Sequence, residues 1–183
     1  MWWHKVAVAI AFSGLAAGCG ESRDGDVIAA TLEHFTARTD TMPWHETGIT
    51  LIAAQTHQAF APVMGRDSAK CDVPQELYDH LVARNTAKIP AAPLVPRSKA
   101  WRVIRPDEMV GDSVPFRMID VTADGERIKT VVRLSVPAYS DTGDTAFVTL
   151  YFKWSIHGAV AEYLLKSSGK RWTVQCSDLL FYV

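Results

Sequence analysis

The residue types that most often carry enzyme chemistry are present in this chain, but their spacing matches no common catalytic or metal-binding pattern. A helical zinc site needs histidines one turn apart, and many other zinc sites need a Cys-x-x-Cys pair. Neither spacing occurs, and a Gly-x-Ser-x-Gly elbow or a phosphate-binding glycine loop is also missing. We therefore predict no catalytic residue, no metal and no cofactor. The histidines considered are His34, His45, His57, His80 and His157.

One triplet, Asp141-Thr142-Gly143, looks like the Asp-Thr-Gly signature of aspartic proteases. That chemistry needs two such aspartates that share a proton. Ser140 and Asp144 flank the triplet, and all five residues are typical of turns. The segment is therefore predicted to be a hairpin turn.

The N-terminal segment has the pattern of a secretory leader. Lys5 precedes a short apolar run, and mostly small residues follow at 13–18. The run is too short for a stable membrane span. The segment from Leu15 to Cys19 (Leu-Ala-Ala-Gly-Cys) resembles the lipobox of bacterial lipoproteins, in which the cysteine is lipidated and becomes the mature N-terminus. This resemblance implies a signal peptide at 1–18 and a lipid on Cys19.

Export would place the two other cysteines, Cys71 and Cys176, in an oxidising compartment, where disulfides form and persist. A bridge between them would close a long loop, which the chain-entropy model values at about 4–5 kcal/mol. The alternative is two separate buried thiols, because free cysteine is among the most buried residue types. We expect the disulfide.

The composition narrows the class of protein. The chain has 19 basic and 20 acidic residues and a net charge of −1, which argues against a nucleic-acid binder with a basic face. Hydrophobic residues make up 48% of the chain, enough for a buried core instead of disorder. We expect a lipidated tether at 19–25 and a single domain at 26–183.

The first part of that domain, to about residue 88, has helical periodicity. Asp24 or Asp26 can cap a first helix. Asp72 and Gln75 form a capping-box pattern in front of a second helix. Three prolines in the segment 89–97 predict an extended linker. The apolar stripes of the two helices comprise Val27, Ile28, Thr31, Leu32 and Phe35, and Val73, Leu77, Tyr78, Leu81 and Val82.

From residue 98 onward the apolar period changes to two, which is typical of strands with one buried face. Residues 49–55 are an additional candidate strand. Short turns separate the C-terminal strands, and strands joined by short turns are antiparallel neighbours. We predict an α+β fold, with an antiparallel meander sheet of about five to six strands and the N-terminal helices packed on one face. The alternation gives three apolar faces. They are the even positions of 128–136, the even positions of 146–156, and Trp172, Val174 and Cys176.

The strand at 145–156 has two aromatic residues, Phe147 and Tyr151, on its second face. This is more apolar surface than a solvent-facing strand needs. One interpretation is that the N-terminal helix covers this face. The other is that Phe147 and Tyr151 line a ligand site between sheet and helix.

The C-terminal half contains a series of short strand and turn motifs. They are Leu134-Ser135-Val136-Pro137, Tyr139-Ser140-Asp141, Ala146-Phe147-Val148, Gly158, and the segment from Gly169 to Val174 (Gly-Lys-Arg-Trp-Thr-Val). In these motifs the chain resembles a family of uncharacterised bacterial proteins, many of them lipoproteins or otherwise exported. The resemblance implies the fold and export, but the family has no assigned activity to carry over.

These observations predict a cell-envelope protein held at a membrane by the lipid on Cys19. Gly20 after the cysteine is compatible with delivery to the periplasmic face of an outer membrane, if the host has one. We expect non-catalytic binding of an envelope partner or a small ligand. The alternative is a periplasmic, hydrolase-like enzyme with a site assembled from scattered residues such as Asp120, Tyr151 and His157.

Overall fold

The computed structural model describes residues 19–39, 48–57, 71–104, 125–154, 157–169 and 171–182. Two helices and seven strands are found in these ranges. In chain order they are α1 (Cys19–Thr39), β1 (Ile49–Ile52), α2 (Gln75–Arg84), β2 (Trp101–Val103), β3 (Ile128–Leu134), β4 (Ala138–Tyr139), β5 (Thr145–Trp154), β6 (His157–Ser168) and β7 (Arg171–Tyr182).

The described strands form one mixed sheet in the order β2-β1-β3-β5-β6-β7, with the short β4 also paired to β5. β3, β5, β6 and β7 are antiparallel neighbours. β1, however, runs parallel to both β2 and β3. The α+β class is confirmed, and the purely antiparallel meander is wrong. Long connections separate β1 from its partners along the chain, and such connections permit parallel pairing, whereas short turns do not.

Helices lie on both faces of the sheet, so the prediction of helices on one face is wrong. α1 packs on the face that contains Val148 and Phe152. α2 covers the opposite face, where Leu77 and Tyr78 pack with Phe147. Successive residues of a strand point to opposite faces, so the alternation along β5 supplies one apolar surface to each helix.

The residues expected to form a tether at 19–25 belong to α1, which begins at Cys19. Glycine in a helix costs about 1 kcal/mol relative to alanine, so local propensity does not favour this start. Tertiary contacts offset the cost, because Arg23 and Asp24 both have partners in other elements. The helix therefore extends to the residue expected to be lipidated.

α2 lies where the apolar periodicity predicts it, but it begins differently. Pro74 occupies the N-cap position without a side-chain cap hydrogen bond, so the expected capping box of Asp72 and Gln75 does not form. Gln75 Nε2 instead donates to Asp79 Oδ1 at 2.8 Å. Packing of one helical face stabilises α2 in the absence of that cap. Its buried residues are Leu77, Tyr78 and Leu81.

The proline-rich segment 89–97, predicted to be an extended linker, contributes two buried residues to the core. Pro90 forms an antiparallel bridge with Gln55, next to β1. Ala91 and Leu94 are buried in the same hydrophobic cluster as the apolar face of α1. The segment contains no helix, as its prolines predict, and its two buried side chains join the two parts of the chain.

β7, an edge strand of the described sheet, contains two irregularities that change the direction of its side chains. Its register against β6 skips one residue at Gln175 and another at Leu180. Trp172 therefore packs on the α1 face, whereas Cys176 lies with the α2 cluster. A β-bulge has this effect because the extra residue breaks the two-residue alternation. The predicted common face of Trp172, Val174 and Cys176 is wrong for this reason.

Candidate functional site

Cys71 and Cys176 form a disulfide, as expected. Their Cα atoms lie 5.7 Å apart, and 105 positions separate them in sequence. The bulge at Gln175 turns Cys176 toward Cys71, which lies in the α2 cluster beside Leu77. The bridge therefore ties the segment before α2 to the last strand of the sheet.

The N-terminal turn of α1 is attached to one end of the sheet by Arg23. The guanidinium of Arg23 lies over the ring of Tyr139, 3.9 Å from its centroid, and 5.7 Å from the ring centroid of Trp172. It also donates a hydrogen bond to the carbonyl of Gly143. Gly143 has a φ of +71° and belongs to the β4–β5 turn. Arg23, which follows Cys19 by about one helical turn, is thus held by two strands and a turn.

Asp24 connects the two helices around the edge of β4. Its carboxylate accepts a hydrogen bond from Tyr139 Oη at 2.7 Å and pairs with Arg84 Nη2 of α2 at 2.9 Å. Burial, followed by the hydrogen bond to Asp24, raises the pKa of Tyr139 well above its usual value. Tyr139 therefore remains a hydrogen-bond donor throughout the physiological pH range, and the cluster is structural.

The two aromatic residues proposed as ligand contacts have different environments. Phe147 is fully buried, and its ring packs edge-to-face on Tyr78 with centroids 4.7 Å apart. Phe147 is thus a core residue that no ligand touches in this packing. Tyr151 is half-buried and lies over Gly158, where an added Cβ would come within 2.9 Å of the Tyr151 hydroxyl. The structure does not bring these two residues together in one ligand site.

The Asp141-Thr142-Gly143 triplet forms the turn between β4 and β5, as predicted. The amide of Gly143 donates to the carbonyl of Ser140 at 2.8 Å. Hydrogen bonds from Thr142 and then Thr145 lower the pKa of the neighbouring Asp144, which stabilises the turn. Of the other residues considered for an enzyme, Asp120 and the side chain of His157 lie outside the described residues.

A buried polar layer lies beside α2 on the face of Phe147. Tyr78 Oη donates to Glu162 Oε2 at 2.7 Å, and Glu162 is only 1% exposed. Thr149, opposite Glu162 in the sheet, contacts His57 Nε2 through its hydroxyl at 3.2 Å. Buried polar groups with such partners stabilise one arrangement of a core. This layer therefore positions α2 and the segment after β1.

A cleft opens on the other face, between the C-terminal end of α1 and the strands β5, β6 and β7. Its floor is formed by aromatic rings. Phe152 and Tyr163 are almost completely buried, and the ring of Phe35 packs edge-to-face on Phe152 with the centroids 5.0 Å apart. The cleft encloses about 30 Å³ before it opens to solvent. Its lining consists of Phe35, Arg38, Thr39, Phe152, Ala161, Tyr163, Ser177, Asp178 and Leu179.

Three polar side chains meet at the rim of this cleft. Arg38 Nη1 donates to Ser177 Oγ at 2.7 Å, and Ser177 Oγ lies 3.3 Å from His34 Nε2. Burial, and then the charge of Arg38, lowers the pKa of His34, so its imidazole is neutral at pH 7. The guanidinium can only donate, so Ser177 Oγ accepts from Arg38 and can use its own proton toward His34 Nε2 in the tautomer in which that nitrogen is unprotonated.

This rim has part of what acyl transfer needs. A hydroxyl that donates to a neutral imidazole is the nucleophile–base pair of a hydrolase, but the base must also be oriented by a third group. No carboxylate of the described residues hydrogen-bonds to His34. The arrangement can therefore bind polar groups at the rim, but the described residues do not complete a triad.

The sequence analysis considered His34 only as a metal ligand and did not single out Arg38 or Ser177. His34 and Arg38 are one turn apart on α1 and flank its apolar stripe, which was a usable signal. Ser177 gave no usable signal, because the bulge at Gln175 decides which face it joins.

Neither helix of the described part of the chain is long and apolar enough to cross a bilayer. In the same ranges, no group of three or more His, Cys, Asp or Glu residues could hold a metal ion.

Comparisons with protein-family models, with curated proteins and with solved structures found no match.

Proposed function

We propose that this protein is a lipid-anchored cell-envelope protein that acts without catalysis, by recognising another envelope protein. The cleft at the end of α1 is the observation that carries the recognition. It combines an apolar floor with a polar rim, and protein interfaces likewise have an apolar centre and a polar rim.

The size of the cleft favours a polypeptide partner over a free small molecule. Pockets that bury a drug-sized ligand have about 300–1,000 Å³, whereas this cleft encloses about 30 Å³. One small apolar side chain of a partner can enter such a space. The guanidinium of Arg38 and the hydroxyl of Ser177 can then contact the partner's backbone at the rim.

The envelope location is supported by the leader pattern before Cys19 and by the Cys71–Cys176 disulfide. Disulfides of this kind are common in exported proteins and rare in the cytosol. The proposed attachment is a lipid on Cys19 that carries more than one acyl chain. A single chain binds a membrane only weakly, and several chains are needed for stable anchoring.

Replacing the anchor residue tests the location. The variant Cys19→Ala is expected to move the protein from the membrane fraction to the soluble envelope fraction, because the lipid has no other attachment point in this proposal. Intact mass and fractionation measure this outcome. The matched variant Ser22→Ala keeps the cysteine and should remain membrane-bound. A Cys19→Ala protein that stays fully on the membrane would contradict the proposal.

Site-specific crosslinking tests the recognition. A photo-crosslinking amino acid at position 38 is expected to give one discrete crosslinked partner in host cells. The same group at Val82, which is 41% exposed on α2, is the control and should not capture this partner. Adding Ser177→Phe should fill the cleft and reduce the crosslink several-fold, while circular dichroism checks that the domain remains folded. Equal crosslinking with and without Ser177→Phe would mean that the cleft is not the binding site.

The contact between Ser177 and His34 favours one alternative, an envelope hydrolase. In that case a fluorophosphonate probe should label the purified protein, and Ser177→Ala should abolish the labelling. Our proposal expects no labelling of Ser177, because His34 lacks an orienting acid among the described residues.

A further inference from the structure

The path from Cys19 into the folded domain is short and helical. α1 begins at Cys19, and Arg23 is already fixed against Tyr139, Trp172 and Gly143. Four residues of helix span only about 6 Å. A lipid on Cys19 would therefore hold the contact region of Arg23 close to the bilayer, with no flexible spacer between them.

This contact region is one end of the sheet. The β4–β5 turn at 140–144 and the β6–β7 turn, which follows Ser168, lie there together, because Thr145 pairs with Lys166 across β5 and β6. The amide of Ser167 also donates to the carbonyl of Asp144 at 2.7 Å. We call these two turns and the first turn of α1 the turn end.

The charges of the domain favour contact through the turn end. Beside the described parts of these turns, the basic residues Lys166 and Arg171 balance Asp141 and Asp144, and Lys166 Nζ lies 3.9 Å from Asp144 Oδ2, so there is no excess of negative charge. Basic side chains near anionic headgroups are attracted by about 1 kcal/mol each.

The exposed side of α1, in contrast, carries Asp26 and Glu33. Anionic headgroups repel these carboxylates, which disfavours a domain that lies on this helix.

The length of α1 then sets the position of the cleft. The helix has 21 residues, which corresponds to about 30 Å at 1.5 Å per residue. Arg38, at the cleft rim, is near the end opposite to Cys19. We infer that the lipidated protein stands with its turn end against the lipid headgroups and presents the cleft on the far side, away from the bilayer.

This inference rests on the lipidation of Cys19 in the proposed function, so the test begins with the lipid. The full chain is purified from host membranes, and its intact mass is measured. A mass without lipid would reject the anchor itself, and with it the orientation.

Lipidated protein is next reconstituted in vesicles that contain an anionic phospholipid and a brominated lipid. A fluorophore is attached either to Ser168→Cys, in the exposed β6–β7 turn, or to Ala37→Cys, exposed near the end of α1. The native cysteines do not compete for the label, since Cys71 and Cys176 are bonded and Cys19 would be modified. We expect several-fold stronger quenching at position 168 than at position 37.

Other outcomes overturn the orientation while the anchor stands. Equal quenching at both positions would mean that the domain lies on its side. Absence of quenching at both would mean that the first helical turn unwinds and acts as a spacer. A flexible Gly-Ser insertion between Glu21 and Ser22 is the matched control, and it should reduce the quenching at position 168 to the level at position 37.

Discussion

The double variant Cys71→Ala/Cys176→Ala is expected to lose about 4–5 kcal/mol of unfolding free energy, because a cross-link over about 100 residues removes that much chain entropy from the unfolded state. The bridge spans 105 positions, so it constrains most of the described domain. Reversible urea unfolding of the purified proteins measures the difference. A loss of this size is a large part of the stability of a typical domain.

Two controls make this result interpretable. The unmodified protein in a reducing agent should unfold at nearly the same urea concentration as the double variant. The exposed-site variant Val82→Ala should leave the transition almost unchanged, since Val82 is outside the buried clusters. An unfolding curve of the double variant that coincides with that of the oxidised protein would contradict the stabilising role of the bridge.

Phe147→Ala is expected to lower the unfolding free energy by about 3–5 kcal/mol, the usual cost of removing a large buried ring. Phe147 is fully buried, and α2 packs on it through Tyr78. The cavity would therefore weaken the contact between α2 and the sheet as well as remove buried apolar area. Thermal and urea unfolding measure the loss.

Tyr151→Ala is the matched control, because Tyr151 is on the same strand and the same face but is half-buried. Its loss should be clearly smaller than that of Phe147→Ala. If Phe147 were a ligand contact and not a core residue, Phe147→Ala would change the melting temperature little. That outcome would restore the interpretation of a ligand site on this face.

The single sequence predicted most of the local structure. The periodicity indicated both helices, and the even positions of β5 form an apolar face as expected. The hairpin turn at Asp141 and the disulfide were also predicted correctly. These features depend on neighbouring residues, on turn chemistry or on the number of cysteines, and all of these can be read without the fold.

The candidate site could not be predicted in the same way. His34 and Arg38 are near each other in sequence, but Ser177 joins them only because β7 lies beside α1. The pair Phe147 and Tyr151 was a reasonable hypothesis from alternation. Burial separates them, because α2 packs on Phe147.

The sequence by itself determined the class of the fold, its two helices, its C-terminal hairpins and the expectation of a disulfide between its two remaining cysteines. These follow from local patterns and composition. The tertiary structure alone decided three other features. β1 pairs in parallel with β2 and β3, the helices divide between the two faces, and the bulge at Gln175 sends Cys176 to Cys71 and Ser177 to the cleft. Such features depend on contacts between distant segments, and a one-residue shift in strand register exchanges the two faces of a sheet.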